Sequence, residues 1–161
     1  SRARLVHEPT LLGTLGTLRA NLDFFGRGSG WVLHADNVVE GSLIRLRGAF
    51  DSRPVAAWGC MLAMRVRCPS DYGVVTVGPQ GLMSGFFEKV NDPPSDLASA
   101  AIFVFGSTAL DVVRGLPEAN TDISREFMPL LAGHIQVVVH EKEVVDIGTP
   151  DNLAYARRLI D

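Results

Sequence analysis

Asp146-Ile147-Gly148-Thr149-Pro150 decides how this chain is read, because it joins a β-rich run to an amphipathic helix. An aspartate at a strand end, then Gly, then a Pro-started helix, is how an α/β protein presents a carboxylate at a sheet edge. Far upstream, Trp31-Val32-Leu33-His34 predicts a buried strand, and Ala35-Asp36-Asn37 a turn after it. Asp36 therefore stands in a place that matches Asp146. Two such aspartates can hold one Mg²⁺ between them, and Mg²⁺ is the usual companion of phosphate substrates. They lie in opposite halves of the sequence, so only the fold can bring them together.

Outward from these points, the chain alternates helix and strand. Leu11, Leu15, Leu18, Leu22 and Phe25 recur at helical spacing, and Gly26-Arg27-Gly28-Ser29-Gly30 ends that helix as a plain turn. Ser42 is placed to cap a short amphipathic helix over 42–50. The apolar run 55–66 reads as a strand, as do 98–105 and Ile135–His140. Gly78-Pro79-Gln80-Gly81 between two β-patterned stretches, Gly73–Val77 and 82–90, is a hairpin signal. Helices are expected over 107–114, over 122–131 and at Pro150–Ile160. The pattern argues an α/β domain with a mostly parallel central sheet and a β-hairpin insertion.

The bulk numbers narrow the function classes. At 161 residues and 47% hydrophobic content, the chain is long enough for one well-filled core. A net charge of −3 without a basic block makes nucleic acid a poor partner. The longest apolar runs are strand-length, so a membrane span is not expected. Cys60 and Cys68 lack zinc-finger spacing, and reduced thiols in a cytoplasmic protein are the simple reading.

Short segments then line up in order along nearly the whole chain. They begin with Glu8-Pro9-Thr10-Leu11-Leu12-Gly13-Thr14 and Ala35-Asp36-Asn37, and continue with Tyr72-Gly73-Val74-Val75 and Phe87-Glu88-Lys89-Val90. Asp122-Ile123-Ser124-Arg125-Glu126 and Asp146-Ile147-Gly148-Thr149-Pro150 complete the series. This series resembles the sugar-1-phosphate nucleotidyltransferases, the pyrophosphorylases that make NDP-sugars. The Asn91-Asp92-Pro93-Pro94 loop makes it most similar to the branch handling mannose-1-phosphate or manno-heptose-1-phosphate with GTP. The resemblance implies a Rossmann-like (GT-A-like) three-layer α/β/α fold, of which residues 1–161 are the central and C-terminal part of a single domain. It implies that Glu8, Leu12, Gly13 and Thr14 approach the nucleotide, and that Gly73 lets the sugar lie against the backbone. Glu88 would bind sugar hydroxyls, Lys89 the sugar phosphate, and Asp36 with Asp146 the Mg²⁺. NTP and sugar 1-phosphate are the implied partners; the oligomeric state is left open, a homo-oligomer among the options.

The chain also departs from that pattern. Ala35 replaces a usual Gly, Val144-Val145 stands where an aromatic is common, and Ser99-Ala100-Ala101 stands where relatives carry an Asn-Gly pair beside the sugar. Added methyl groups there would narrow the pocket. The family's opening strand and Gly-rich phosphate loop have no counterpart in these residues. An upstream stretch of roughly 30 residues or more, the size of a βαβ unit, is therefore expected in the natural protein. The 161-residue segment alone is expected to bind NTP poorly and to make no NDP-sugar.

Plainer explanations stand beside each assignment. Asp36 and Asp146 are common turn types, Glu88-Lys89 can be a solvated pair, and Gly13 can simply loosen a helix start. His34 reads best as a hydrogen-bonded imidazole at the sheet edge. Asp122 and Ser124 are good helix caps. Two further functions compete: a catalytically degenerate relative acting as a binding or regulatory partner, and an NDP-sugar-using glycosyltransferase. The retained aspartates and Glu88-Lys89 argue against the first. The single aspartate of His34-Ala35-Asp36, where a D-x-D is usual, argues against the second.

Overall fold

The strand Leu97–Phe105 is the axis of the molecule, because its side chains alternate between two apolar layers. Phe103 and Phe105 enter one core, whereas Ala100, Ile102 and Val104 enter the other. The computed structural model describes residues 3–41 and 43–160. In chain order their strands are β1 (Gly30–Leu33), β2 (Asn37–Val39), β3 (Gly59–Arg65), β4 (Gly73–Val77), β5 (Met83–Glu88), β6 (Leu97–Phe105), β7 (Ile135–His140) and β8 (Val144–Asp146). The α-helices are α1 (Gly13–Ala20), α2 (Ile44–Asp51), α3 (Ser107–Gly115) and α4 (Pro150–Ile160).

The main sheet runs β5-β4-β6-β3-β7, with β1 added on β6. β3 is buried on both faces, Met61 and Ala63 to one side and Cys60, Leu62 and Met64 to the other. A strand covered on both faces needs apolar residues throughout, which is why residues 55–66 read as one unbroken run. Only Gly59–Arg65 of that run is strand. Before it, Ala57 N–H closes a turn on Pro54 C=O at 2.8 Å, and Trp58 N–H donates to His134 C=O at 2.7 Å. α1 and α3 cover one face through Leu15, Leu18, Ala109, Leu110 and Val113; α2 covers the other through Leu46 and Phe50. The result is the expected α/β/α layering. Each fully buried Phe, Leu or Met in it contributes about 1.5–3 kcal/mol.

Strand direction is more antiparallel than the mostly parallel sheet expected. Among the described residues β3–β7 is parallel, while β1–β6, β3–β6, β4–β5, β4–β6 and β2–β8 are antiparallel. The predicted hairpin accounts for one of these pairs, β4–β5; β5 and β6 both run antiparallel to the β4 that lies between them, and so share a direction without pairing directly.

Local departures from the expected helices have identifiable causes. The 11–25 helix is α1 followed by a 3-10 turn, Leu22–Phe25. The 122–131 helix is a π-helical turn, Ile123–Phe127, leading into a 3-10 turn, Met128–Leu131. There the Glu126 carboxylate takes the Thr121 and Asp122 N–H groups, and Pro129 cannot donate to a continuing helix. Ser42 lies outside the described residues, so its expected cap is not described.

One irregularity sits in the axis strand itself. Leu62 pairs with Ile102 but Ala63 pairs with Ser99, so Ala100 and Ala101 bulge out of the ladder. Ala101 adopts φ +52°, held by its N–H donating to Ser99 Oγ at 3.1 Å. A left-handed conformation costs an alanine about 1–2 kcal/mol that glycine does not incur. Ala101→Gly is therefore expected to raise Tm by roughly 1–3 °C, after the flexibility of glycine in a strand offsets part of the relief. A melting curve that falls instead would show the bulge to be unstrained.

Candidate active site

The two aspartates singled out by their sequence setting meet on a small separate ribbon, β2–β8. Asn37 lies directly opposite Asp146, and Ile147 N–H donates to Asp36 C=O at 2.8 Å. Residues from opposite halves of the chain thus end at the same tip. Asp146 is fixed there from two directions. Gly148 N–H donates to its Oδ1 at 2.7 Å, and Asn152 Nδ2, from the first turn of α4, donates to its carbonyl at 2.8 Å. A side chain at 148 would crowd Asp146 Oδ1, whose contact with that Cβ position is 2.9 Å, so Gly148 permits this clasp. Asp36 is exposed in the turn, and its carboxylate has no hydrogen-bond partner among the described residues.

Such a donor set suits a hard cation. Two carboxylates offer oxygen ligands only, and Mg²⁺ takes one or two carboxylates, keeping its other positions for water and phosphate oxygens. No cluster of three or more His, Cys, Asp or Glu in metal-binding range occurs among the described residues. An all-protein cage of the calcium or zinc kind is accordingly not what this tip offers.

Beside the ribbon lies a cleft of ≈ 340 Å³, at the carboxyl ends of β1 and β5 and the start of β4. Its walls include His34, Gly73, Glu88, Lys89, Ala101 and Asp146. Asp36 stays just outside these walls, at the turn that leads into them. Glu88 is half-buried, and burial is the main cause that raises its carboxyl above the ordinary 4.5. Asp122 pushes it the same way, while Lys89, Arg125 and His34 oppose the shift. Gly73 makes room for this carboxylate. A Cβ at 73 would overlap Glu88 Oε2 and come within 2.7 Å of Phe86 Cζ. Lys89 follows at φ +50°, its N–H held by Tyr72 C=O at 3.1 Å. Its ammonium has no hydrogen-bond or ion-pair partner among the described residues. Of the described non-glycine residues at positive φ, Gln80, Lys89 and Ala101, only Gln80 belongs to a simple hairpin turn; the others line the cleft. Backbone strain gathered at a cavity is a mark of a functional wall.

Glu8, Leu12, Gly13 and Thr14 occupy a different neighbourhood. Glu8, Gly13 and Thr14 line a mostly apolar groove of ≈ 630 Å³ along β1, together with Trp31, Leu33 and His34. His34 belongs to both depressions, so groove and cleft adjoin there. Glu8 Oε2 accepts from Leu12 N–H at 3.4 Å, while its other carboxylate oxygen is buried without a partner. Gly13 and Thr14 also carry packing duties. Gly13 has φ +73°, and a Cβ there would sit 2.5 Å from Thr121 O. Thr14 Oγ1 accepts from Ile123 N–H at 2.9 Å.

Some residues of the site went unassigned in the sequence. Ser124 lines the cleft, and Asp122, accepting from Arg125 N–H at 2.9 Å, does the capping. Asn37, Asn152 and Tyr155 also line it. Asn152 carries a readable signal, since an Asn in the first turn of a Pro-started helix is well placed to reach back to the preceding strand end. Cys60 has no part in this chemistry: burial pushes its thiol up to about 11.

Known proteins similar to this chain fall in one family. The family model described as "Nucleotidyl transferase" matches residues 2–161. A valienol-1-phosphate guanylyltransferase of Streptomyces hygroscopicus subsp. limoneus is 33% identical over 79% of this chain and 36% of its own length. The low-salt glycan biosynthesis nucleotidyltransferase Agl11 of Haloferax volcanii is 25% identical over 86% of this chain and 40% of its own length. The catalytic subunit beta of a mannose-1-phosphate guanylyltransferase from Drosophila melanogaster is 26% identical over 89% and 39%. The chain thus spans well under half the length of these curated relatives. A Bacillus anthracis structure, described as a glucose-1-phosphate thymidylyltransferase in complex with a sucrose, superposes with a TM-score of 0.75 at 22% identity. That match covers 88% of this chain and 58% of the other, and it supports the Rossmann-like fold. With the paired aspartates, the Glu88-Lys89 cleft and the family match over residues 2–161, this chain belongs to the nucleotidyl transferase family.

Proposed function

We propose that the protein of which this chain is part transfers a nucleotidyl group from an NTP to a sugar 1-phosphate, giving an NDP-sugar and pyrophosphate. The observation that carries this reading is the β2–β8 ribbon, whose tip holds Asp36 and Asp146 at the edge of the Glu88-Lys89 cleft. GTP is the proposed nucleotide and a manno-configured sugar the proposed acceptor, supported by relatives named as guanylyltransferases.

In this reaction an oxygen of the sugar phosphate attacks the α-phosphorus in line, and the bond to pyrophosphate breaks. Neither substrate needs a covalent bond to protein, so positioning and charge neutralisation supply the catalysis. Glu88 accepts hydrogen bonds from sugar hydroxyls in the half-buried cleft. Lys89, whose ammonium flanks Glu88 without a hydrogen bond or ion pair among the described residues, holds the incoming phosphate. Asp36 and Asp146 would hold Mg²⁺, which when bound supplies charge neutralisation at the α-phosphate. The groove along β1, with Glu8, Leu12, Gly13 and Thr14 near its floor and rim, is the proposed nucleotide side. Its junction with the cleft at His34 brings the two substrates end to end.

Loss of one metal carboxylate removes several kcal/mol of transition-state stabilisation, so Asp146→Ala should lower turnover by about 10³-fold or more in the chain's full natural context. Pyrophosphate release across NTPs and sugar 1-phosphates measures it; activity within a few-fold of the parent rejects the paired-aspartate reading. Gly73→Ala displaces the Glu88 carboxylate, so KM for the sugar phosphate should rise by about tenfold, the scale of one lost hydrogen bond to a charged group, while KM for the NTP holds. Glu88 also makes stability depend on pH. Its folded pKa lies above 4.5, so it carries no penalty in acid, and the penalty appears as pH rises through the folded value. Glu88→Gln should therefore melt higher than the parent at neutral pH and equally at about pH 3, where both side chains are neutral. Equal melting points at neutral pH contradict a desolvated Glu88.

A further inference from the structure

One hydrogen bond in the cleft wall has no part in the roles given above. Asn37 stands directly opposite Asp146 in the β2–β8 register, so both side chains leave the same face of the ribbon and both line the cleft. Asn37 Nδ2 donates to Ala100 C=O at 2.9 Å, in a part-buried setting. That carbonyl can accept from outside because the bulge lifts Ala100 out of the β3–β6 ladder. Ala101, left-handed and tied to Ser99, holds the bulge in shape.

The rest of the ribbon is tethered elsewhere. At its far end the His140 ring pairs with Glu40 C=O at 2.9 Å, and Lys142 forms an ion pair with Glu40. At the aspartate end, Asn152 reaches Asp146 from α4, not from the sheet. Asn37–Ala100 is therefore the side-chain bond that ties the aspartate tip to β6, the strand whose bulge forms part of the cleft wall.

We infer that Asn37 is a positioning residue: by gripping the Ala100 carbonyl, it seats the Asp36–Asp146 tip against the cleft, so that ion site and sugar-phosphate site keep one fixed separation. The inference rests on the two-aspartate reading for its effect on the ion, and on geometry alone for its effect on the ribbon. Residues that orient metal ligands from behind typically alter metal affinity by about 10–100-fold when lost.

The test uses this chain with Asn37→Leu, which keeps the volume and removes the amide; Asn37→Ser, smaller, serves if leucine prevents folding. Amide hydrogen exchange is followed at Ile147 in the ribbon and at Leu62 in the core. Mn²⁺ binding is titrated by electron paramagnetic resonance beside Asp36→Asn and Asp146→Asn. The expected result is exchange at Ile147 faster by about tenfold or more with Leu62 unchanged, and Mn²⁺ affinity weaker by about tenfold. Unchanged exchange at Ile147 overturns the inference whatever the ion does. Faster exchange with Mn²⁺ affinity within about twofold of a parent whose binding needs both aspartates also overturns it, because the tip would then not need its seat. Faster exchange in a chain whose parent binding ignores both aspartate variants supports Asn37 as the seat of the ribbon and removes the two-aspartate reading instead.

Discussion

A backbone hydrogen bond, Ile147 N–H to Asp36 C=O at 2.8 Å, is the contact on which the site depends. It closes a ribbon between segments that are distant in sequence, and the antiparallel register leaves little freedom in what faces what. A slip of one residue would turn Asp146 from the cleft and present Ile147 or Val145 in its place. The register is guarded from β8 and the segment after it. Val144 and Val145 are buried, so a slip would also expose apolar surface, and Gly148 and Asn152 hold Asp146 in its present orientation.

Around that ribbon the cleft is shaped by crowding as much as by attraction. Gly73 is glycine because the Glu88 carboxylate takes the space of a side chain, and Gly148 because the Asp146 carboxylate does the same. In both places an acidic group is pressed against backbone. For Glu88 the consequence is a carboxyl raised by burial and partly stabilised by Lys89, Arg125 and His34. A half-buried acid with cations at its flank is equipped to accept from neutral hydroxyls while a neighbouring ammonium receives an anion. The strain in Lys89 and Ala101 is the backbone counterpart of that crowding.

The sequence made some of this legible and hid the rest for physical reasons. Strands β4, β5, β6 and β7 and helices α3 and α4 were visible because periodicity and turn residues agree there. The extent of β3 was not, because a strand buried on both faces has no alternation to bound it. β2 and β8 were hidden by their brevity: three residues each leave no period to detect. Asp36 and Asp146 could still be paired by their similar strand-end settings, but not the register that makes Asn37 the partner of Asp146. That register is set by long-range backbone bonding, which local sequence does not encode. The left-handed Ala101 had one trace, the Ser99-Ala100-Ala101 stretch read against the Asn-Gly pair that the family resemblance implies. That substitution was readable as a narrower pocket, whereas the structure adds a bulge whose carbonyl holds Asn37.

The groove proposed for the nucleotide and the cleft proposed for the sugar phosphate also share a wall, and this bears on how an in-line reaction could be set up at all. Thr14 Oγ1, at the start of α1 in the groove, accepts from Ile123 N–H, and Leu15 N–H donates to Thr121 C=O at 2.8 Å. The same 121–126 segment supplies Ser124 to the cleft, and places Asp122 and Arg125 where they act on Glu88. α1 thus cannot shift along β1 without disturbing the electrostatic surroundings of Glu88. Displacement at phosphorus tolerates little error in the approach of the attacking oxygen. A fold that fastens both substrate walls to one short segment sets their separation by covalent and hydrogen-bonded geometry. The packing duties of Gly13 and Thr14 therefore do not compete with the role proposed for them beside the nucleotide; they hold the groove in register with the Glu88-Lys89 cleft.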